Sequence, residues 1–476
     1  MLTRSPPGIF FFAFAALLSA GAQASGFFYS DLGAKQLGRG ATGVAGAGDL
    51  SAIIYNPAGL AELEGLTVQL DLQLAKQNTS FTRSGGCGQA MAPCKTISDS
   101  SGWFANTMSG VALNLGVISP GLHGLVIAAG VHGPSAVGAH NYPDPRSFDT
   151  AVEVAAGAPQ RYSLISSSNI ILYPGISMGW HANDWLSVGA GAELRYFHIT
   201  QSQSIFGVGS LGGDYPDFDA IATVDAKQTA YPVFNGGLIV RPIPSMRTFS
   251  IGFAGRLGAP VSADGTITIE TPPAAKSLNI SVVGNQAHVE LRLPSEARLG
   301  AQWKNENVLV ELDGTWEGWG AVQDIRVTPE NVTINSGMGS NKTVTPVAPI
   351  DLRKNYRGAF TGRLGGEYAL ANTLPGDLAL SFRLGAIYET SAIPDETLQV
   401  DFVDGPRFAG TLGFTLSSHG VALTAGYAHY FQGTRDVSTS TAARVDPLGG
   451  PTFIIGNGHY ETSLDALALE LTWHGL

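Results

Sequence analysis

The chain has few charged residues, only two cysteines and no long apolar run after its first twenty residues. Of 476 residues, 14% are charged and 61 are glycine, whereas an average soluble domain has about 25% charged residues and about 7% glycine. The net charge of −11 and the lack of basic clusters exclude nucleic acid as the expected partner. Apolar residues that are abundant but scattered are typical of a transmembrane β-barrel, whose lipid-facing signal is divided among many short strands.

The first 24 residues have the features of a secretory signal peptide. Arg4 is followed by an apolar stretch at 9–18 and by Ala22-Gln23-Ala24, which match the charged region, the apolar region and the cleavage site of such peptides. We therefore predict that residues 1–24 are removed and that the chain is exported. A retained membrane anchor is the alternative.

Cys87 and Cys94 lie seven residues apart in the polar stretch SGGCGQAMAPCKT. In an oxidising compartment, this spacing predicts a local disulfide that ties down a loop. No histidine cluster lies near these cysteines, so we expect no metal site.

Apolar and polar residues alternate with a period of two in many short stretches. In 66–74 the five apolar residues share one face, and Thr67, Gln69, Asp71 and Gln73 share the other. At 288–303 we expect one apolar face and one charged face; the apolar set is Val289, Leu291, Leu293, Ala297, Leu299, Ala301 and Trp303, and the charged set is Glu290, Arg292, Glu296 and Arg298. Charges of both signs on one face favour a polar barrel lumen over the exposed face of a soluble sandwich.

Short and long connections alternate along the chain and give the strand count. The six short turns are at 119–124, 181–184, 241–247, 304–307, 371–377 and 417–420, and the long polar connections are at 84–104, 133–160, 200–228, 260–287, 327–355, 390–406 and 434–460. Six turns join twelve strands, and one further strand at each end gives fourteen antiparallel strands. An even count puts both termini on the periplasmic side, with the long loops outside.

Residues 25–64 do not alternate and precede the first strand, so we divide the mature chain into an N-terminal hatch (25–64) and an all-β barrel (65–476). The apolar residues of the hatch favour a plug packed inside the lumen, and a flexible periplasmic tail is the alternative.

Two motifs suggest enzymes, but their surroundings do not. Gly38, Gly40 and Gly43 have the spacing of a dinucleotide-binding loop, yet no strand precedes them, and Pro57 follows where that fold needs a helix. We interpret these glycines as tight-packing positions of the hatch, with Asn56-Pro57-Ala58 as its anchor. The sequence 175–179 matches G-x-S-x-G but lies within a predicted strand, without the strand-to-helix elbow that a nucleophile needs. We expect neither an enzyme nor a cofactor.

The stretches SGFFYSDLGAKQLGRGATG and NPAGLAELEG, followed by fourteen strands, resemble the FadL-type outer-membrane transporters of long-chain fatty acids and other hydrophobic compounds. The resemblance implies a 14-stranded barrel closed by the hatch. It further implies that Gly26, Phe27 and Phe28 reach into a ligand pocket, and that a kinked third strand opens the wall laterally. By position, Gly130, Gly133 and Pro134 belong to that strand.

A fatty acid needs an apolar pocket and at least one cation for its carboxylate. The candidates on the lumen face are Arg195, Arg298, Arg363 and Arg383; the alternative for each is a structural ion pair with a neighbouring glutamate. We expect passive uptake of a fatty acid or a neutral hydrophobic molecule by a monomeric barrel in outer-membrane lipid. A diffusion porin for hydrophilic solutes is the alternative function.

Overall fold

The computed structural model describes residues 28–29, 31–133, 135–136, 139–206, 213–243, 248–272, 275, 279–337, 343–374, 377–446 and 453–475. The predicted signal peptide, Gly26, Phe27 and Pro134 lie outside these ranges. No helix among the described residues is long and apolar enough to cross a membrane.

Fourteen antiparallel strands close into a barrel, as the alternation and the turns predicted. In chain order they are β1 (Leu66–Arg83), β2 (Phe104–Asn114), β3 (Leu125–His132), β4 (Ser166–Asn183), β5 (Leu186–Phe206), β6 (Asp219–Val240), β7 (Phe249–Arg256 and Ala259–Glu270), β8 (Gln286–Leu293 and Glu296–Lys304), β9 (Val308–Glu317 and Asp324–Glu330), β10 (Ile350–Arg353 and Ala359–Leu374), β11 (Leu378–Glu389), β12 (Arg407–Ser418), β13 (Val421–Gln432) and β14 (Gly458–Gly475).

The barrel closes where β1 pairs with β14, from Leu66 opposite Gly475 to Arg83 opposite Gly458. The start of β1 and the end of β14 therefore lie at the same rim, which also carries the short turns. We call this rim the short-turn end and the opposite rim the long-loop end. The long loops add small paired segments and helical turns: Gly86–Cys87, Ala92–Pro93, Ile97–Ser98, Ser135–Ala136, Ala139–Asn141, α3 (Ala151–Gly157), Ser281–Val283, Thr333–Ser336, Thr343–Pro346 and Arg435–Val437.

In the half of the barrel nearer the short-turn end, apolar side chains face outward and polar ones face the lumen. On β1, Leu70 and Leu72 are 58% and 51% exposed, whereas Gln69, Asp71 and Gln73 are buried. Because lipid solvates the outside of such a barrel, this is the arrangement that the alternation predicted.

Beyond this half several strands continue much further than the sequence suggested. The expected connections at 200–228 and 260–287 are mostly strand, because β5 runs to Phe206, β6 starts at Asp219, β7 runs to Glu270 and β8 starts at Gln286. Polar residues occupy the outward face there and apolar residues the inward face, so the composition of these segments resembles that of polar loops.

The expectation of one shared apolar face at 288–303 was wrong. Val289, Leu291 and Leu293 are buried inside, whereas Leu299 and Trp303 are 52% and 45% exposed on the outside. The strand is interrupted between Leu293 and Glu296, and this irregularity inverts the alternation.

The described part of the hatch, residues 31–64, lies inside the barrel and is almost entirely buried. It contains α1 (Ala34–Gly38), α2 (Ala52–Tyr55) and a 3₁₀ turn (Pro57–Glu62). Helix α1 contacts β12, β13 and β14, and the 3₁₀ turn contacts β4, β5 and β6. The hatch thus spans the lumen from one side of the wall to the other.

Candidate functional site

The long-loop half of the lumen is apolar. Inward-facing side chains from most of the wall form one continuous buried cluster with the loop at 390–406. We call this cluster the upper lumen; it includes Phe81, Ile97, Tyr142, Leu164, Ile171, Tyr173, Phe197, Ile199, Val261, Ile267, Val289, Leu291, Leu293, Ile325, Val327, Val400, Phe402 and Tyr460. A cavity of about 390 Å³ lies beside it at the long-loop end, lined by Tyr162, Ile350, Lys354, Asp401 and Ala442 among others.

The short-turn half of the lumen, at the level of the hatch, is polar and charge-paired. Arg39 of the hatch lies 3.2 Å from Glu311 of β9. Asp313, two residues further on, accepts hydrogen bonds from the backbone N–H groups of Gly43 (2.8 Å) and Val44 (3.2 Å). We call this level the lower lumen. Its wall carboxylates bind the hatch directly, which explains why charged residues recur on the inward face.

Glycines on both sides let the backbones of the hatch and the wall touch. A Cβ atom added to Gly38 would lie 2.7 Å from Cα of Gly413 in β12. Gly40 has a φ of +64°, and a Cβ there would lie 2.5 Å from the carbonyl oxygen of Leu364. The spacing of Gly38 and Gly40 therefore matches close packing against β10 and β12, and the residues around it form no dinucleotide-binding fold.

Asn56-Pro57-Ala58 joins the hatch to β5 and β6. The Asn56 side chain accepts a hydrogen bond from the N–H of Ala58 (3.1 Å), which caps the 3₁₀ turn. Its amide donates to the carbonyls of Val44 (2.7 Å) and of Leu238 in β6 (3.1 Å). The next wall contact is equally tight, because a Cβ on Gly189 of β5 would lie 2.3 Å from the nitrogen of Ala58.

The third strand leaves the wall immediately after His132. Below this point β3 pairs regularly with β2, ending at Met108 opposite His132, and Gly133 N–H still donates to the carbonyl of Thr107 (3.2 Å). Above it, the backbone at 135–136 pairs instead with Phe28 and Tyr29 near the N-terminus. Ala139–Asn141 then rejoins β4, at Ser166–Ser168.

The interval between β2 and β3 is closed again nearer the long-loop end. There Asp99 accepts hydrogen bonds from the backbone N–H of Asn141 (3.0 Å) and lies 2.5 Å from Nδ1 of His140. Between this contact and Gly133, the described residues of β2 and β3 form no ladder with each other. We call this interval the β3 gap. Gly130 and Gly133 lie at its lower edge, and the N-terminal segment at 28–29 pairs with the backbone on its β3 side.

Three of the four candidate arginines have carboxylate partners. Arg363 lies 2.8 Å from Asp31 of the hatch, Arg383 lies 2.7 Å from Glu367 and Arg298 lies 2.6 Å from Glu296. The Arg383 pair joins residues directly opposite on β10 and β11. Cross-strand neighbours such as Glu367 and Arg383 lie about 5 Å apart, whereas residues four apart on one strand, such as Arg363 and Glu367, lie about 13 Å apart. The partner of Glu367 therefore comes from the next strand.

Arg195 differs from the other three. Its side chain is fully buried, and no carboxylate among the described residues pairs with it. The guanidinium donates to the carbonyls of Ala259 (3.3 Å) and Pro260 and to the side-chain oxygen of Gln228 (2.5 Å). Its Nε atom is buried and has no hydrogen-bond partner among the described residues. Glu193, which lies two residues before Arg195 on the same face of β5, pairs instead with His132 (2.9 Å) and Arg256 (3.3 Å).

Sequence reasoning missed His132, Arg256 and Asp31. The first two hold Glu193 at the boundary between the upper and lower lumen, and they come from β3 and β7. Asp31 binds both Arg363 and the hydroxyl of Tyr430 (2.7 Å). A lone acidic residue beside the aromatic N-terminal stretch was the available signal for Asp31; nothing in the sequence pointed to the other two.

A buried ion-pair cluster covers the long-loop end. Asp214 binds Arg161 and, at 3.3 Å, Arg83, and it also accepts the N–H of Gly88 (2.9 Å). Burial alone would raise the pKa of Asp214, but the adjacent Arg161 and Arg83 guanidinium groups hold it below its ordinary value. Gly88 follows Cys87, which is disulfide-bonded to Cys94. The disulfide loop is thereby attached to the loop that carries Asp214.

The serine-containing motif at 175–179 lies in the middle of β4, with β3 and β5 on either side. No helix follows Ser177, so the elbow of a serine hydrolase is missing here. The described residues contain no group of three or more His, Cys, Asp or Glu side chains that could hold a metal ion.

Residues 15–453 match the model of a protein family described as outer membrane protein transport protein (OMPP1/FadL/TodX). No curated protein matches the chain in sequence.

Solved structures share the fold at low sequence identity. A Pseudomonas aeruginosa FadL homologue superposes with a TM-score of 0.73 at 16% identity, over 95% of this chain and 99% of that one. The Ralstonia pickettii toluene transporter TbuX gives 0.60 at 16% identity, over 93% and 98%. The P. putida toluene transporter TodX gives 0.60 at 14% identity, over 94% and 99%.

Proposed function

The chain belongs to the OMPP1/FadL/TodX family of outer-membrane transporters of hydrophobic compounds, and on that premise we propose that it takes up long-chain fatty acids or similar hydrophobic molecules passively. The ligand enters at the long-loop end, occupies the upper lumen and leaves sideways through the β3 gap into the outer membrane. Both termini then lie on the periplasmic side.

The observation that carries this proposal is the reversal of polarity inside the barrel. The inward face is apolar over the long-loop half and ion-paired over the hatch half. Burial of apolar surface stabilises a bound hydrocarbon by about 25 cal/mol per Å², so the upper lumen is the part that suits such a ligand. A lumen built for hydrophilic solutes would be polar throughout.

The lower lumen argues against an exit towards the periplasm. A ligand on that route must separate the hatch from wall carboxylates at Glu311 and Asp313 and from backbone contacts at Gly413. Leaving one partner of a buried ion pair alone costs about 3–5 kcal/mol. The β3 gap requires no such separation, because the ladder between β2 and β3 is already interrupted there.

For a carboxylated ligand we propose Arg195 as the headgroup contact. It borders a small cavity next to Tyr173 and Leu293, and no carboxylate in the described part of the chain pairs with it. Arg363 and Arg383 are held by Asp31 and Glu367, so their proposed role is to position the hatch at the bottom of the ligand pocket. A neutral hydrocarbon would use the same apolar cluster without Arg195.

We also propose that Gly26, Phe27 and Phe28 contact the ligand. The support is the pairing of Phe28 and Tyr29 with the backbone at 135–136, on the β3 side of the β3 gap. Ligand binding and lateral opening would then involve the same short segment.

The test is uptake in cells that lack their own outer-membrane fatty-acid transporter. We expect the chain to restore growth on oleate and entry of toluene without raising permeability to small sugars. Deletion of Gly26–Tyr29 should abolish uptake while the barrel still folds. Arg195→Gln should weaken oleate uptake more than toluene uptake. Sugar flux without uptake of either hydrophobic compound would instead identify a hydrophilic diffusion porin.

A further inference from the structure

The ladder of the wall is also interrupted between β6 and β7. The two strands pair from Ile221 opposite Glu270 to Lys227 opposite Asp264, and again from Asn235 opposite Arg256 to Val240 opposite Ile251. Seven residues on each strand, 228–234 and 257–263, lie outside both ladders, and at the edge nearer the short-turn end the N–H of Leu257 still donates to the carbonyl of Phe234 (3.1 Å). We call this interval the β6–β7 seam. Because both sides are equal in length, no inserted loop accounts for it.

The sequence encodes the seam through two prolines. Continuing the register from either side places Pro232 opposite Ala259 and Pro260 opposite Tyr231. Proline has no N–H and cannot donate to a ladder, so two neighbouring positions on facing strands each lose a donor. The interruption between β8 and β9 is different, because there the buried Trp319 fills an inserted turn of β9.

Two side chains close the seam in place of the ladder. Arg195 reaches from β5 across β6 and donates to the carbonyls of Ala259 and Pro260 on β7. Gln228 of β6 donates to the carbonyl of Ser262 (3.0 Å) and accepts from Arg195. Backbone groups of a membrane wall must be satisfied from within the protein, and here side chains that can rotate away satisfy them.

At the seam, little protein lies between the inside of the barrel and its outer surface. The cavity beside Arg195 is also lined by Leu257, which is 65% exposed on the outer surface. Phe234, across the seam, is 51% exposed. Both are apolar, so the edge of the seam nearer the short-turn end faces lipid, whereas the exposed residues Thr229 and Ser262 further along the seam are polar.

We propose that the β6–β7 seam is a second lateral portal, closed by Arg195 and Gln228 and opened when the carboxylate of an amphiphile binds the Arg195 guanidinium. The Arg195 guanidinium can release the two β7 carbonyls and donate to a carboxylate instead, because a charged acceptor binds a guanidinium more strongly than a neutral one. This inference rests on the proposed function, and it adds an exit that anionic ligands open and neutral ligands do not.

The first test locks the seam. Thr229→Cys with Ser262→Cys places two exposed thiols at opposite positions of the extended register, to be joined by a short bifunctional thiol reagent. The matched lock is Ala386→Cys with Gly410→Cys, which are opposite each other in the intact β11–β12 ladder; a Cβ on Gly410 meets nothing within 4 Å. We expect the seam lock to reduce oleate transfer into outer-membrane vesicles, with the remainder leaving through the β3 gap, and the β11–β12 lock to leave oleate transfer unchanged.

The second test opens the seam. Gln228→Ala removes about two hydrogen bonds, which predicts roughly a tenfold rise in toluene transfer, and the seam lock should cancel that rise. Oleate transfer that is unaffected by the seam lock would overturn the portal while leaving the proposed function standing. If the unlocked protein transfers neither oleate nor toluene, the proposed function itself fails.

Discussion

The upper and lower lumen are built from the same strands, yet their inward faces have opposite character. On β9, the inward residues of the lower part are Glu311, Asp313 and Thr315, and those of the upper part are Ile325 and Val327. The lower lumen is filled by the hatch and joined to it by ion pairs and backbone contacts. The upper lumen is an apolar cluster closed by loops.

This difference indicates a division of labour within one barrel. In the proposed function, a hydrophobic ligand is stabilised in the upper lumen by burial of its apolar surface, and it meets a charge-paired barrier at the hatch. The wall is interrupted at the boundary between the two zones, at the β3 gap and at the β6–β7 seam. On the proposed function, a ligand that enters along the barrel axis is therefore expected to leave sideways into lipid.

The largest expected effect is on the ion pairs of the lower lumen. Asp31→Asn leaves the Arg363 guanidinium buried without its closest carboxylate, which should destabilise the folded chain by about 3–5 kcal/mol. The double change of Asp31→Asn with Arg363→Gln should be milder, because it leaves no unpaired charge. For both variants, the measurement is the temperature at which the protein in detergent loses the electrophoretic migration of the folded barrel.

The control for that comparison is Asp225→Asn, which removes a carboxylate from the exposed outer face beside His198. A surface pair contributes about 0–1 kcal/mol, so this variant should unfold close to the temperature of the unaltered protein. Equal shifts for Asp31→Asn and Asp225→Asn would contradict the structural role of the lower lumen.

A smaller effect is expected at the backbone contact between hatch and wall. Gly413→Leu places a side chain where the Cβ alone would lie 2.8 Å from Cα of Gly38, and such overpacking costs about 1–3 kcal/mol. Gly410→Leu on the same strand faces outward into open space. Trypsin should cleave the hatch faster in the first variant only; identical cleavage rates would show that the hatch does not depend on this contact.

The upper lumen is tested by its effect on transport. Leu291→Gln puts an amide into the apolar cluster, at a cost of about 1–3 kcal/mol to a passing hydrocarbon, which corresponds to roughly a tenfold loss of oleate uptake. Arg292→Gln changes the next residue, which faces outward, and should leave uptake intact. Loss of uptake in both variants at equal protein levels would count against the apolar pathway.

The smallest effect is on pH dependence in the loop at 390–406. Burial raises the pKa of Asp404 from 3.8 to about 6, although the nearby Arg407 guanidinium opposes the shift. The folded chain therefore binds a proton more tightly than the unfolded chain does, so the stability of this loop falls as the pH rises from about 4 to about 6. Hydrogen-exchange protection of 390–406, corrected for intrinsic rates, should decrease across this range.

Asp404→Asn removes the titrating group and should flatten that pH dependence. The same slope in both proteins would mean that another group is responsible.

The sequence predicted the fold through features that act locally. Alternation at 66–74, the six short turns and the glycine spacing at 38–43 each reflect a constraint on a few adjacent residues. The long strands beyond the membrane zone were not predicted, because their polarity is reversed and the inversion at Pro294–Ser295 depends on how β8 sits in the wall.

The partners of charged side chains were the least predictable part of the candidate site. Arg195, Arg363 and Arg383 were identified as inward-facing, but their partners come from other strands or from the hatch. Asp31 is 332 positions from Arg363, and no periodicity connects them. Likewise, Glu193 does not pair with Arg195 because His132 and Arg256 bind it.

The central claim is that a hydrophobic ligand stays in the upper lumen and leaves through the wall. Photo-crosslinking of the intact protein in outer-membrane vesicles, with a long-chain fatty acid that carries a terminal diazirine, tests it most directly. We predict adducts on upper-lumen residues such as Phe197 and Leu291 and along the edges of the β3 gap. Adducts on the lower-lumen residues Arg39, Glu311 and Asp313 would contradict the account, because they lie on the route to the periplasm.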